Sequence, residues 1–258
     1  MRIGRLAAGN GCGRMKKLIL FLALFPLLAM GGGQTVMTGN HRHVFASGSP
    51  TFKQYTYQVG PTTPSVSKSI TVSTGDLIVV DCRFDAASTI SVSATGATMG
   101  TWSGGTIYGP TSSAGVAMFA ALVTSGAATT FTCTGGTGYN SIIVLDYSST
   151  LSSVTLLANT GFGSSINFTT ATVSSISTSA KSLVVMCAAA SSSSYAWTAG
   201  TINGNAATLR GVDYSSTASN ATAGCEDSNS LSSMSGATAT MTYGGNYGRS
   251  AGVLAIAY

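Results

Sequence analysis

The chain has 258 residues, of which only 7% are charged, with a formal net charge of +5. Five of its 12 basic residues (Arg2, Arg5, Arg14, Lys16 and Lys17) lie in the first 17 positions, and no acid does, so the remainder carries seven basic and seven acidic groups. A neutral chain beyond the leader excludes the basic footprint of a nucleic-acid or anionic-membrane binder.

Met15-Lys16-Lys17 opens a cationic segment, and Leu18 to Met30 is an apolar run of 13 residues. Such a run is too short to span a bilayer, and the small Ala29 and Gly31 suit a cleavage site. Residues 1–31 therefore read as a secretory signal peptide, with no membrane span in the mature chain. Residues 32–65 read as a lead-in that contains one possible strand, Phe52 to Val59, with Tyr55, Tyr57 and Val59 on one face.

From residue 66 onward, short β-branched runs are separated by Gly, Ser and Thr, the pattern of an ordered all-β domain. The central run is Asp76-Leu77-Ile78-Val79-Val80-Asp81-Cys82-Arg83-Phe84, after a Ser-Thr-Gly turn. Thr89–Ala94, Thr98–Tyr108, Gly115–Val123 and Thr129–Thr134 follow, and Ser141–Tyr147 closes a first round. A Ser/Thr-rich connection at 148–165 leads to a second round with its own central run, Ser182-Leu183-Val184-Val185-Met186-Cys187, and Gly252–Tyr258 closes it as Ser141–Tyr147 closed the first. Trp197 reads as the counterpart of Trp102. The expected fold is a jelly-roll-like β-sandwich of about 14 strands over residues 66–258, with a pseudo-duplication into 66–147 and 166–258. Two tandem seven-stranded immunoglobulin-like sandwiches are the alternative.

The order GDLIVV, then AMFAALV, TFTCTGGTGYNSIIVLDYSS, SLVVMCAAA and AGCEDSNSLSSMSGATATMTYGG resembles a widespread bacterial extracellular β-sandwich module rich in Ser, Thr and Gly. Asp146-Tyr147-Ser148 and Cys225-Glu226-Asp227 are its most specific features. The resemblance implies an all-β fold and a secreted or cell-surface location. It carries no settled activity, so the expected role is non-catalytic: binding a glycan or a cell-surface protein, or serving as structural material.

Cys82, Cys133, Cys187 and Cys225 follow the leader, an even count that suits disulfides in an exported chain. Cys82 and Cys187 read as equivalent positions in the two central runs. The expected bridges are Cys82–Cys133 and Cys187–Cys225, with Cys82–Cys187 as the competing pairing and buried free thiols as the other reading.

Chemistry has few candidates. Glycoside hydrolysis needs two carboxylates across a cleft, and Asp81 with Asp146 is the pair that would share an open sheet face. That pair carries the alternative function, a carbohydrate-active enzyme. Glu226 and Asp227 form the one adjacent acidic pair and a weak calcium candidate; a structural pairing with Arg210 or Arg249 competes with it. His41 and His43 lack a third ligand nearby. Gly248-Arg249-Ser250-Ala251-Gly252 fits the nucleophile-elbow pattern, but no His lies downstream and the run reads as a turn into the last strand. Tyr108, Tyr139, Tyr195, Tyr214, Tyr243 and Tyr247 fall in or beside turns, where rings either stack on a sugar or cap the core. No motif for a cofactor is present.

Overall fold

A computed structural model describes residues 48–60, 64–85, 89–109, 114–136, 138–190, 195–213 and 222–258, with the backbone alone at 164–168, 230, 246 and 247. The leader, His41, His43 and Tyr214 lie outside the described residues, as does the side chain of Tyr247. Phe45–Tyr258 clusters as one compact unit.

Among the described residues the fold is all-β and contains no helix. The first round comprises β1 (Thr51–Gly60), β2 (Ser65–Thr71), β3 (Leu77–Asp85), β4 (Ile90–Thr95), β5 (Thr98–Met99), β6 (Ser103–Tyr108), β7 (Ala114–Ser125), β8 (Ala128–Gly135) and β9 (Asn140–Ser148). The second comprises β10 (Leu156–Thr178), β11 (Ser182–Ala190), β12 (Trp197–Ile202), β13 (Asn205–Ala206), β14 (Thr208–Val212), β15 (Thr222–Leu231) and β16 (Met234–Ala257). Among the described residues, β2 to β16 make fifteen strands where the spacing gives about 14 beyond the lead-in; β5 and β6 divide the expected strand Thr98–Tyr108, and β13, two residues long, is too short to leave a periodic signal.

All pairings are antiparallel. In the first round β1-β9-β3-β7 form one sheet, with β5 and β6 along the outer edge of β7, and β2-β8-β4 form a second. The first strand thus lies beside the last and the second beside the one before it, as in a hairpin rolled over on itself. The second round repeats the order with fewer breaks. The N-terminal part of β16 pairs with β12, as β8 pairs with β4, and its C-terminal part pairs with β11, as β9 pairs with β3. β10 runs along both parts of β16, covering the roles of β1 and β2. Because β1 pairs with β9 from Thr51 onward, the sandwich begins earlier than residue 66.

Three apolar clusters define four layers. One lies between β3 and the β2-β8-β4 sheet, joining Ile78, Val80, Cys82 and Phe84 to Val66, Phe131 and Cys133. Another joins Val184, Met186 and Ala188 of β11 to Val173, Ile176, Trp197, Met241 and Tyr243 in the outer part of the second round. The third packs the two inner sheets face to face: Leu77, Val79, Met118, Ile143, Leu145 and Tyr147 against Leu183, Val185, Cys187, Cys225, Leu254 and Ile256. The inner sheets are therefore covered on both faces. That is why β3, β9 and β11 carry apolar runs without alternation, at Leu77–Val80, Ile142–Leu145 and Leu183–Ala190, whereas outer strands such as β8 alternate. Trp102 and Trp197 are not counterparts in strand order: Trp102 precedes β6 and Trp197 opens β12. Each nevertheless packs its ring on an aromatic of the outer layer, Phe131 and Tyr243.

Two disulfides join Cys82 to Cys133 and Cys187 to Cys225. Their settings differ. Cys82 faces the outer core of its round and reaches across the layers to β8. Cys187 faces the seam between the inner sheets and is bridged to the residue directly opposite it on β15. The two cysteines are not equivalent. Cys82 lies five residues after Leu77 and Cys187 four after Leu183, and in a strand a shift of one changes the face.

Candidate functional site

The two carboxylates expected to share a sheet face do not. Asp81 on β3 points into the seam between the inner sheets, whereas Asp146 on β9 lies on the side of Ile142 and Val144, toward the outer sheet of the first round. Both are buried. The inner sheet has no open face to carry a cleft, so Asp81 and Asp146 do not form an acid–base pair across one.

Each belongs to a separate polar cluster. At one end of the first round, a β-bulge between Phe52 and Gln54 lets the adjacent Lys53 and Gln54 both reach Asp146. Gln54 Nε2 donates to Asp146 Oδ2 at 2.8 Å; Lys53 Nζ lies 3.4 Å from Asp146 Oδ2 and 2.5 Å from Asp76 Oδ2. Burial raises the Asp146 pKa, the Gln54 bond opposes this, and the Asp76 charge adds to it. Asp76 Oδ2 also accepts from the Ser73 backbone N–H at 2.7 Å, tying the turn before β3. This cluster fixes the start of the central strand against β1 and β9.

In the seam, Asp81 and Arg83 share the inward face of β3, at i and i+2. Arg83 is fully buried; its Nη1 donates to the Tyr139 carbonyl at 3.1 Å, and its Nη2 to Asp85 Oδ1 at 2.7 Å. Burial lowers its pKa against the pull of Asp85, Asp213 and Asp81. From the second round, Asp213 enters the same region and accepts the Ala223 N–H. Burial pushes Asp213 up to about 7, with the Ser141 hydroxyl, the Ala223 N–H and Arg83 opposing. Asp81 is held well above the usual carboxylate range by burial, with the Asp213 charge adding and Arg83 opposing. The sequence signal for this cluster was Asp81-x-Arg83 in a strand, which places opposite charges on one face. Asp213, from the other round, carried no signal.

The neighbours Glu226 and Asp227 point to opposite faces of β15, as strand geometry requires. Glu226 Oε2 accepts the Gly200 N–H at 2.7 Å, and burial pushes its pKa up to about 7. Asp227 instead receives Arg210 Nε and the Tyr147 hydroxyl, both at 2.9 Å. Two carboxylates so divided do not chelate one calcium ion, and Arg210 is the partner of Asp227. Arg210 also lies over the Phe52 ring at 4.7 Å. The Gly248–Gly252 run lies within continuous β16, not at a turn, and the Ser250 hydroxyl donates to the Ala114 carbonyl. It has no nucleophile-elbow geometry.

The aromatic candidates divide by burial. Tyr243 is buried, with its ring 5.0 Å from that of Trp197 and the Arg249 guanidinium 5.0 Å above it. Tyr108 is half-buried, and its hydroxyl donates to Asn159 Oδ1 at 2.9 Å. Tyr139 is half-buried, and its carbonyl serves Arg83. Tyr195 is 46% exposed and rests its ring edge-on against Tyr243, centroids 6.0 Å apart. Two more exposed rings come from a strand that carried no site expectation: Tyr55 (44%) and Tyr57 (38%), on edge strand β1. Their rings are parallel within 15°, with centroids 6.4 Å apart. Tyr55 sits where β14 passes at Gly211. A Cβ on that glycine would lie 3.0 Å from both the Tyr55 ring and Ile143. The alternation of Tyr55 and Tyr57 was legible, but their exposure depends on how far β14 covers β1.

No family model, no curated protein and no solved structure matches the chain.

Proposed function

We propose that this chain is a non-catalytic extracytoplasmic β-sandwich module that binds glycan through exposed tyrosine rings, with Tyr55 and Tyr57 as its platform. The observation that carries this reading is the pair of parallel, solvent-facing rings held on an edge strand. A tyrosine offers an apolar body and a polar tip, which suits a sugar's C–H face and its hydroxyls. The disposition of the acids supports a non-catalytic role: Asp76, Asp85, Asp146, Asp213, Glu226 and Asp227 each hold a structural hydrogen bond. Two disulfides suit an oxidising compartment. No helix among the described residues is long and apolar enough to cross a membrane.

The test is retention of the purified chain on a glycan array and on insoluble polysaccharides, beside the Tyr55→Ala/Tyr57→Ala double variant. The wild type is expected to bind at least one class, and the double variant to lose at least tenfold in affinity with an unchanged melting temperature. Absence of binding across the panel, equal binding by the double variant, or cleavage of a bound glycan would each overturn the reading.

A further inference from the structure

The Cys187 and Cys225 sulfurs and a carboxylate oxygen of Asp81 lie within 4.8 Å of one another, and all three residues are buried. The cluster spans the seam: Asp81 comes from β3 in the first round, the cysteines from β11 and β15 in the second. The bridge leaves Asp81 unserved. Both of its carboxylate oxygens are buried without a hydrogen-bond partner, and the residue is 1% exposed. A buried carboxyl with no partner is costly and calls for an explanation.

Two thiolates and a carboxylate are a ligand set for a borderline-soft divalent ion. Zinc–sulfur and zinc–oxygen bonds of about 2.3 and 2.0 Å place ligand atoms in a tetrahedral shell roughly 3.5 Å apart. The observed spread encloses that shell, and opening the S–S bond supplies the remaining separation. A divalent ion with two thiolates and one carboxylate has a net charge of −1, and the buried guanidinium of Arg83, which also serves Asp85, stands two residues from Asp81 on the same strand face and moderates that charge. The other bridge has no such company: among the described residues, no group of three ligand atoms includes Cys82 or Cys133.

We propose that the reduced chain binds one Zn²⁺ through Asp81, Cys187 and Cys225, and that the Cys187–Cys225 disulfide is the oxidised form of the same site. The interconversion uses an external thiol or phosphine reductant. Two electrons and two protons cleave the S–S bond to two thiols: two reductant thiols supply both and leave as their disulfide, or a phosphine supplies the electrons and leaves as its oxide, with one water giving the oxygen and the two protons. Zn²⁺ then replaces one proton on each thiol, and the Asp81 proton where the carboxyl carries one. Either form ties β11 to β15, but only the metal form ties both to β3.

The experiment refolds the full chain from its fully reduced state under a phosphine, with Co²⁺ as the probe and Zn²⁺ as competitor. Expected are thiolate-to-cobalt charge-transfer absorption that saturates at one equivalent, its displacement by Zn²⁺, and at least a tenfold loss of affinity in Asp81→Asn. Alkylation of the Zn²⁺-loaded wild type with peptide mapping reads the ligands without any substitution: Cys187 and Cys225 are expected to be protected by metal and Cys82 and Cys133 to gain no protection. Lack of the absorption, metal-dependent protection of Cys82 and Cys133 instead, or equal affinity in Asp81→Asn would overturn the proposal.

Discussion

Replacing Asp213 by Asn isolates the energetic cost of a carboxyl enclosed between the inner sheets. The folded chain holds Asp213 at about 7, against an ordinary value of 3.8, chiefly through burial. Between those values the native state keeps a proton that the unfolded chain has released, so stability falls as the pH rises. The contribution is present in full below about pH 4 and is lost as the pH rises through about 7. Each pH unit between the two values corresponds to about 1.4 kcal/mol, so the full window amounts to roughly 4 kcal/mol. Asn keeps an acceptor oxygen for the Ala223 N–H but does not titrate. Urea unfolding with the disulfides intact, followed by tryptophan fluorescence from pH 4 to pH 8, gives the stability difference between wild type and Asp213→Asn. That difference is expected to move by roughly 4 kcal/mol against the wild type between pH 4 and pH 7, then to level off. Glu226, also held at about 7, slopes the same way in both proteins and cancels. A difference that stays flat between pH 4 and pH 7, or one that favours the wild type as the pH rises, would refute the assignment of a raised pKa to Asp213.

Two further outcomes bear on the core. Cys82→Ala/Cys133→Ala removes a bridge between residues separated by 51 positions, with an expected loss of about 4 kcal/mol in the chain-entropy model, read as the shift in urea midpoint; non-reducing peptide mapping of the wild type should recover only the Cys82–Cys133 and Cys187–Cys225 peptides. Tyr147→Phe deletes the hydroxyl that donates to buried Asp227 and is expected to cost about 1–3 kcal/mol by the same measurement, whereas an unchanged midpoint would show that Arg210 alone satisfies that carboxylate.

Much of this architecture is written in the chain's local pattern, and its limits are equally local. Apolar runs without alternation at Leu77–Val80 and Leu183–Cys187 mark strands covered on both faces, and alternation at Thr129–Cys133 marks an outer one. The face of each cysteine was also countable from the nearest shared leucine, but aligning the two runs by their cysteines concealed the one-residue offset. The same parity separates Asp81 from Asp146 and Glu226 from Asp227. What no local pattern carries is the meeting of the two rounds: Asp213 approaching Arg83, β14 leaving Tyr55 and Tyr57 half uncovered, and Asp81 facing a bridge formed 106 and 144 residues further along.

The doubly covered inner sheets have a consequence for how the chain can be divided. A single round, cut free, would present Leu77, Val79, Ile143, Leu145 and Tyr147 to water, an apolar patch beside Asp81 and Arg83 on the same face. Its simplest remedy is another copy of the same kind of surface, acquired by collision and therefore lost on dilution. Residues 149–155, between β9 and β10, turn that encounter into an event within one molecule. The partner is then always present at the effective concentration set by a seven-residue tether, and the pairing of the rounds does not depend on how much protein there is.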